Sequence, residues 1–163
     1  VAGVPIYQTP ILPEWIDYNG HLRDAYYVLI VSLATDALMD RIGLDAAYRE
    51  RTHCTLYTLE MHIHYLHEVK RGDNALVTVR ILGADSKRIH ATFELLRAPA
   101  TPAAAAVEIM LLHVRQRADG AASAAFAPEA SAAIAALQAA GAALPAAAPA
   151  SRRMELPGPR RPS

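Results

Sequence analysis

The chain has 163 residues, enough for one domain, and its 16 Lys+Arg balance 16 Asp+Glu to a formal net charge of zero. That balance removes the general electrostatic attraction that nucleic acid or an anionic membrane would use, so an anionic ligand has to meet a local cluster of bases. The single cysteine, Cys54, excludes an intrachain disulfide and reads as a reduced thiol in a cytoplasmic protein.

The chain starts at Val1 with no signal peptide in view, as a trimmed chain or a segment of a longer protein would. Residues 6–12 form a short apolar segment between Pro5 and Pro13, which predicts an edge strand. Residues 22–42 carry no proline or glycine and stop at Gly43, which predicts a helix with glycine at its C′ position. Its first half is apolar on nearly every face and includes β-branched Val28, Ile30 and Val31, so burial rather than propensity has to hold it. The run is too short to span a bilayer.

Residues 55–65 alternate, with Tyr57, Leu59, Met61, Ile63 and Tyr65 on one face and Thr58, Glu60, His62 and His64 on the other. Residues 75–82 and 88–96 alternate in the same way, separated by the turn Gly83-Ala84-Asp85-Ser86-Lys87. After a loop at 98–102, residues 105–116 read as a more buried strand. Residues 1–127 thus make the main domain and 128–142 an alanine-rich C-terminal helix, with 143–163 expected to be a mobile Ala/Pro/Arg tail. The order is strand, long buried helix, then four strands. It predicts an α+β domain in which an antiparallel sheet curls around one helix and leaves edges for a second subunit.

The most informative stretch stands just before the helix: Trp15-Ile16-Asp17-Tyr18-Asn19-Gly20-His21. It resembles the active-site segment of hotdog-fold acyl-CoA thioesterases of the 4-hydroxybenzoyl-CoA thioesterase type, and the likeness runs over residues 5–127. Leu56-Tyr57-Thr58-Leu59-Glu60, the stretch from Gly83 to His90, and Met110-Leu111-Leu112-His113-Val114 resemble the betainyl-CoA thioesterases of carnitine breakdown. In some bacteria these are fused behind a carnitine dehydrogenase, which fits a chain that starts without Met. The resemblance implies hydrolysis of a short acyl-CoA without metal or other cofactor, by a homodimer or dimer of dimers whose subunits share the site. It also implies that Asp17 is catalytic. The chain departs from many relatives at His21, where they carry an apolar residue.

Physical chemistry gives this stretch a task. The first turn of a helix presents unpaired N–H groups and a partial positive charge, which together can stabilise the oxyanion of a reacting thioester. Amides near Gly20 and His21 are the expected donors. Asp17 is the expected nucleophile or water-activating base, Asn19 an orienting group, and His21 either a participant or a cap. The same Asp17 and Asn19 read equally as an Asx-turn and helix cap.

Eight aromatic residues lie before residue 66 and crowd this region. Aromatic faces bind quaternary ammonium groups, which makes Trp15, Tyr27, Tyr57 and Tyr65 candidates for the acyl site, with Glu60 as counter-charge if it faces the cleft. Lys87, Arg88 and His90 are candidates for the CoA phosphates. Glu60, His62 and His64 share a strand face in a pattern that could hold a metal, though solvated polar residues are the commoner use. Two rivals stand beside the thioesterase. A hotdog enoyl-CoA hydratase would want His one position further from Asp17, and a non-catalytic acyl-CoA-binding or assembly module would not need Asp17 at all.

Overall fold

The computed structural model describes residues 2–98 and 102–145. The chain runs β1 (Val4–Pro10), a single 3-10 turn (Pro13–Trp15), α1 (Asp24–Arg41), α2 (Ala46–Thr52), β2 (Cys54–Tyr65), β3 (Asn74–Ala84), β4 (Arg88–Ala98), β5 (Ala103–Arg117), β6 (Gly120–Ser123) and α3 (Pro128–Ala142). The strands make one antiparallel sheet in the order β1-β3-β4-β5-β2, with β6 paired to β5. This is the hotdog arrangement, with α1 as the central helix. The expectation of mobility for the tail falls on residues that, past Pro145, lie outside those described, as do residues 99–101 of the expected loop.

Proline explains why β1 lies at an edge: Pro5 and Pro10 have no N–H to give a central ladder. The inner face of the sheet is built from alternate residues, Ala75, Val77, Val79 and Ile81 on β3 and Ile89, Ala91, Phe93 and Leu95 on β4, all fully or almost fully buried. Against them α1 lays a stripe at helical spacing, Tyr27, Ile30, Val31, Ala34, Thr35, Leu38 and Met39. Gly43 ends that helix at φ +81°, a conformation suited to glycine. The expectation that α1 is wrapped on every side does not hold within one subunit, since Val28 (37%) and Leu29 (40%) stay exposed.

Two elements are additions to the sequence reading: α2, capped by the Asp45 carboxylate on the Tyr48 amide (2.8 Å), and the short β6. α3 packs along β3 beyond the end of β1, where Gly141 meets Arg80 and Gln138 Nε2 donates to Leu82 O. These additions meet at His113, which is fully buried on the inner face of β5. A carbonyl can only accept, so His113 Nδ1–H donates to Ala124 O (2.8 Å), and Nε2 shares a hydrogen bond with the Tyr48 hydroxyl (3.1 Å). Phe126 packs on the same ring at 4.8 Å. Replacing this side chain with an apolar one of similar size, His113→Leu, strands a buried hydroxyl and a carbonyl. It is expected to lower unfolding stability by about 2–4 kcal/mol; an unchanged urea midpoint would show that the latch carries no stability.

Candidate active site

The stretch ahead of α1 folds into a closed turn because Asp17 binds it from both sides. The Asp17 amide donates to His21 O (2.8 Å) and the Gly20 amide to Asp17 O (3.1 Å). Asp17 Oδ1 accepts from the amides of Asn19 (2.8 Å) and His21 (3.0 Å). Gly20 sits at φ +82°, so the position needs glycine for its backbone conformation. The His21 amide holds the Asp17 carboxyl below its ordinary value of 3.8, against partial burial, and the Asn19 amide acts in the same direction. Asp17 is therefore ionised, and its Oδ2 has no hydrogen-bond partner among the described residues.

This turn corrects one expectation. The amides of Gly20 and His21 point into it and are already used, so they are not free donors. Leu22 N donates to Val69 O, Arg23 N to Trp15 O, and Ala25 N to the Asp24 carboxylate. The helix proper starts at Asp24, with Arg23 at its cap. The Asp24 N–H, at the first helical position, has no hydrogen-bond partner among the described residues.

Beside the turn lies a cleft of about 690 Å³. His21, Asp24 and Tyr27 line it from the entry to α1, and Tyr65 from the end of β2. The segment after β2 closes another side, held by the Leu22–Val69 bond (2.7 Å) and a bridge between His21 and Lys70. It delivers Glu68, whose Oε2 lies 3.1 Å from His21 Nε2 and 3.7 Å from Lys70 Nζ. Arg97, at the end of β4, completes the charged lining. The Tyr27 and Tyr65 rings meet edge to face, 5.2 Å apart at 89°. Burial pushes both phenols up, and the Asp24 carboxylate raises Tyr65 further, so both rings stay neutral.

Of the residues singled out in the sequence, the structure brings His21, Tyr27 and Tyr65 into the cleft and sets Asp17, Asn19 and Gly20 in the turn beside it. It keeps the others elsewhere in the subunit. Trp15 is buried, stacks on Tyr26 (5.6 Å, 20°) and does not line the cleft, so it belongs to the core rather than to a cage. Tyr57 is separated from Tyr65 by a register shift between Thr58 and Glu60. Tyr65 pairs with inward Ala105, whereas Tyr57 pairs with Leu112, on the opposite face from buried Leu111. A bulge of one residue reverses alternation. Tyr57 instead accepts a hydrogen bond from Gln116 Nε2 (2.6 Å).

Glu60 lies on the outer face, 3.5 Å from His62 and near the His90–Glu108 pair (2.6 Å), so it is no counter-charge for the cleft. Arg88 is held by Asp85 through Nε (2.8 Å) and a second nitrogen (2.7 Å), with the Asp85 carboxyl lowered to about 2 chiefly by the Lys87 amide. Lys87 reaches Ser123 Oγ at 3.3 Å. Along β4, from Arg88 to Arg97, these bases stand roughly 30 Å from the cleft of the same subunit. The cations that do line it, Lys70 and Arg97, were not singled out, because they come from segments far apart in sequence. Asp24 and Glu68 escaped for the same reason. Among the described residues no three His, Cys, Asp or Glu side chains are placed to hold a metal ion, Glu60, His62 and His64 included. No described helix is long and apolar enough to cross a membrane.

Known proteins resemble the chain over most of its length. Residues 11–147 match the thioesterase-like superfamily. The chain is 50% identical over 139 residues to a betainyl-CoA thioesterase of Pseudomonas aeruginosa, covering 85% of this chain and 86% of that protein. It is 44% identical over 105 residues to an L-carnitine dehydrogenase/betainyl-CoA thioesterase of Agrobacterium fabrum, covering 64% of this chain and 21% of that longer protein. Among solved structures, a Staphylococcus aureus protein in complex with CoA superposes with a TM-score of 0.82 at 30% identity, over 95% of this chain and 97% of that one. A Pseudomonas putida crystal structure with a provisional thioesterase name superposes at 0.84 with 44% identity, over 96% and 98%.

Proposed function

The chain belongs to the thioesterase-like superfamily and is an acyl-CoA thioesterase, and we propose that its substrate is betainyl-CoA, hydrolysed to betaine and free CoA. The observation that carries this reading is a cleft lined by two neutral tyrosine rings and by Asp24, whose amide has no partner among the described residues, next to the turn in which the ionised Asp17 keeps Oδ2 without a partner among them. The 50% identity to a betainyl-CoA thioesterase supports the acyl group.

In this reading the thioester carbonyl oxygen points at the Asp24 N–H. That donor, backed by the dipole of α1, stabilises the negative charge that grows on the oxygen. Asp17 Oδ2 either attacks the carbonyl carbon or takes a proton from the water that does. The C–S bond then breaks, and the sulfur leaves as the thiolate of CoA; after direct attack, a water then cleaves the acyl–Asp17 anhydride, releasing the acid and restoring the carboxylate. His21 forms the wall of the cleft, its ring fixed by Glu68. Lys70 and Arg97 are the bases available for the CoA phosphates. The chemistry uses water, a carboxylate and backbone amides, so it needs no cofactor.

The same proposal includes a homodimer. β2 ends the sheet with an unpaired edge, Tyr57, Leu59 and Leu66 beside it are exposed, and Val28 and Leu29 leave the helix uncovered. It also includes a cytoplasmic location, which the free thiol of Cys54 suits.

Thiol release from a panel of betainyl-CoA, acetyl-CoA and crotonyl-CoA tests the reading. Betainyl-CoA is expected to have the highest kcat/KM. Hydration of crotonyl-CoA without thiol release would point to the hydratase, and no turnover of betainyl-CoA would remove the proposed substrate.

A further inference from the structure

We propose that Asp24, Tyr27 and Tyr65 form a quaternary-ammonium subsite that selects acyl groups carrying a fixed cation next to the thioester carbonyl and disfavours neutral acyl groups of the same shape. This rests on the proposed function and assigns the selection to residues at the start of α1 and the end of β2.

The cleft has two acidic residues, and they differ in their partners. Glu68 is engaged by His21 and Lys70. The Asp24 carboxylate has no cationic group within 4.0 Å among the described residues, and takes only the neighbouring Ala25 amide (2.9 Å). Tyr65 is fixed beside it, since its hydroxyl donates to the Asp24 carbonyl (3.3 Å). Tyr27, almost fully buried, meets Tyr65 edge to face and steadies it, while Tyr65, about half exposed, offers ring surface to the cleft. A trimethylammonium group has no N–H to donate. It is held by diffuse negative potential, which π-faces and a nearby carboxylate supply.

Asp24 has a plainer use, since an acid at the first helical position is favourable to the helix dipole. That use leaves acyl selectivity untouched. The position of this carboxylate does not, because it is borne by the residue whose N–H is offered to the carbonyl oxygen. For a neutral acyl group, its negative charge opposes the oxyanion. The betainyl group brings a positive nitrogen one methylene away from the carbonyl carbon, which offsets that repulsion. One carboxylate thus attracts the right substrate and penalises the wrong one.

The test compares betainyl-CoA with 3,3-dimethylbutanoyl-CoA, in which carbon replaces the quaternary nitrogen. The parent enzyme is expected to favour betainyl-CoA by tenfold or more in kcat/KM. Asp24→Asn keeps the backbone N–H and the shape, and is expected to shrink that preference by about tenfold; Tyr65→Leu is expected to shrink it as well. Tetramethylammonium ion, at constant ionic strength, should inhibit turnover of the neutral ester in the parent and do so more weakly in Asp24→Asn. A parent that prefers betainyl-CoA with a ratio unmoved by either substitution overturns the subsite alone. A parent that ignores betainyl-CoA overturns the proposed substrate and the subsite together.

Discussion

Asp17→Asn is expected to lower kcat for betainyl-CoA by about 10²–10⁴-fold, the usual contribution of a positioned base or nucleophile, while the urea midpoint stays close to that of the parent. The substitution separates two duties of one side chain. Oδ1 closes the turn by accepting from the Asn19 and His21 amides. An asparagine oxygen can accept the same two bonds, so the turn survives. It carries no negative charge, so it can neither attack a thioester nor accept a proton from water. Asp17→Ala removes both duties and should lose stability as well as rate. The pH profile follows from the same hydrogen bonds. Because the His21 amide lowers the Asp17 pKa in the folded protein, the active carboxylate is fully present above the ordinary value of 3.8. It is lost only as pH falls through the lower, folded value. An acid limb near neutrality would therefore belong to another group. Full activity in Asp17→Asn would return Asp17 to the role of a turn-former.

Much of this arrangement was legible because it is local. Alternation placed the inner residues of β3 and β4, and the absence of helix breakers up to Gly43 located α1 to within two residues at each end. The family resemblance pointed to Asp17, which the structure sets in the turn next to the cleft. What the sequence concealed were events that break a period or join distant segments. The bulge in β2 sends Tyr57 to the outer face, where Glu60 lies, although Tyr57 and Tyr65 share one face of an unbroken alternating run. Trp15 stands two residues from Asp17, yet the 3-10 turn directs its ring onto Tyr26 and into the core. The cleft needs Glu68 and Lys70 beside His21, a contact across more than forty residues made by the Leu22–Val69 bond and the His21–Lys70 bridge, which no local pattern announces. Gly20 and His21 look like the first turn of a helix, but the Asp17 cap closes the turn early and defers the helix to Asp24.

That deferral leads to the second large effect. Asp24→Pro is expected to reduce kcat by about 10²–10³-fold relative to Asp24→Ala, the loss typical of removing one oxyanion donor. Both substitutions delete the carboxylate, so the difference between them isolates the backbone N–H. Proline is unusually well suited to this position. It is favoured at the first residue of a helix, where its missing N–H breaks no helical hydrogen bond. The residue before it must be extended, and Arg23 already is, at φ −63° and ψ 142°. The fold should therefore tolerate the change, which an unfolding midpoint close to that of Asp24→Ala would establish. KM should move less than kcat, because the bond to the oxygen strengthens as charge builds on it. Equal rates in the two variants would mean that the carbonyl oxygen sits elsewhere, and the site would have to be rebuilt around a donor from outside the start of α1.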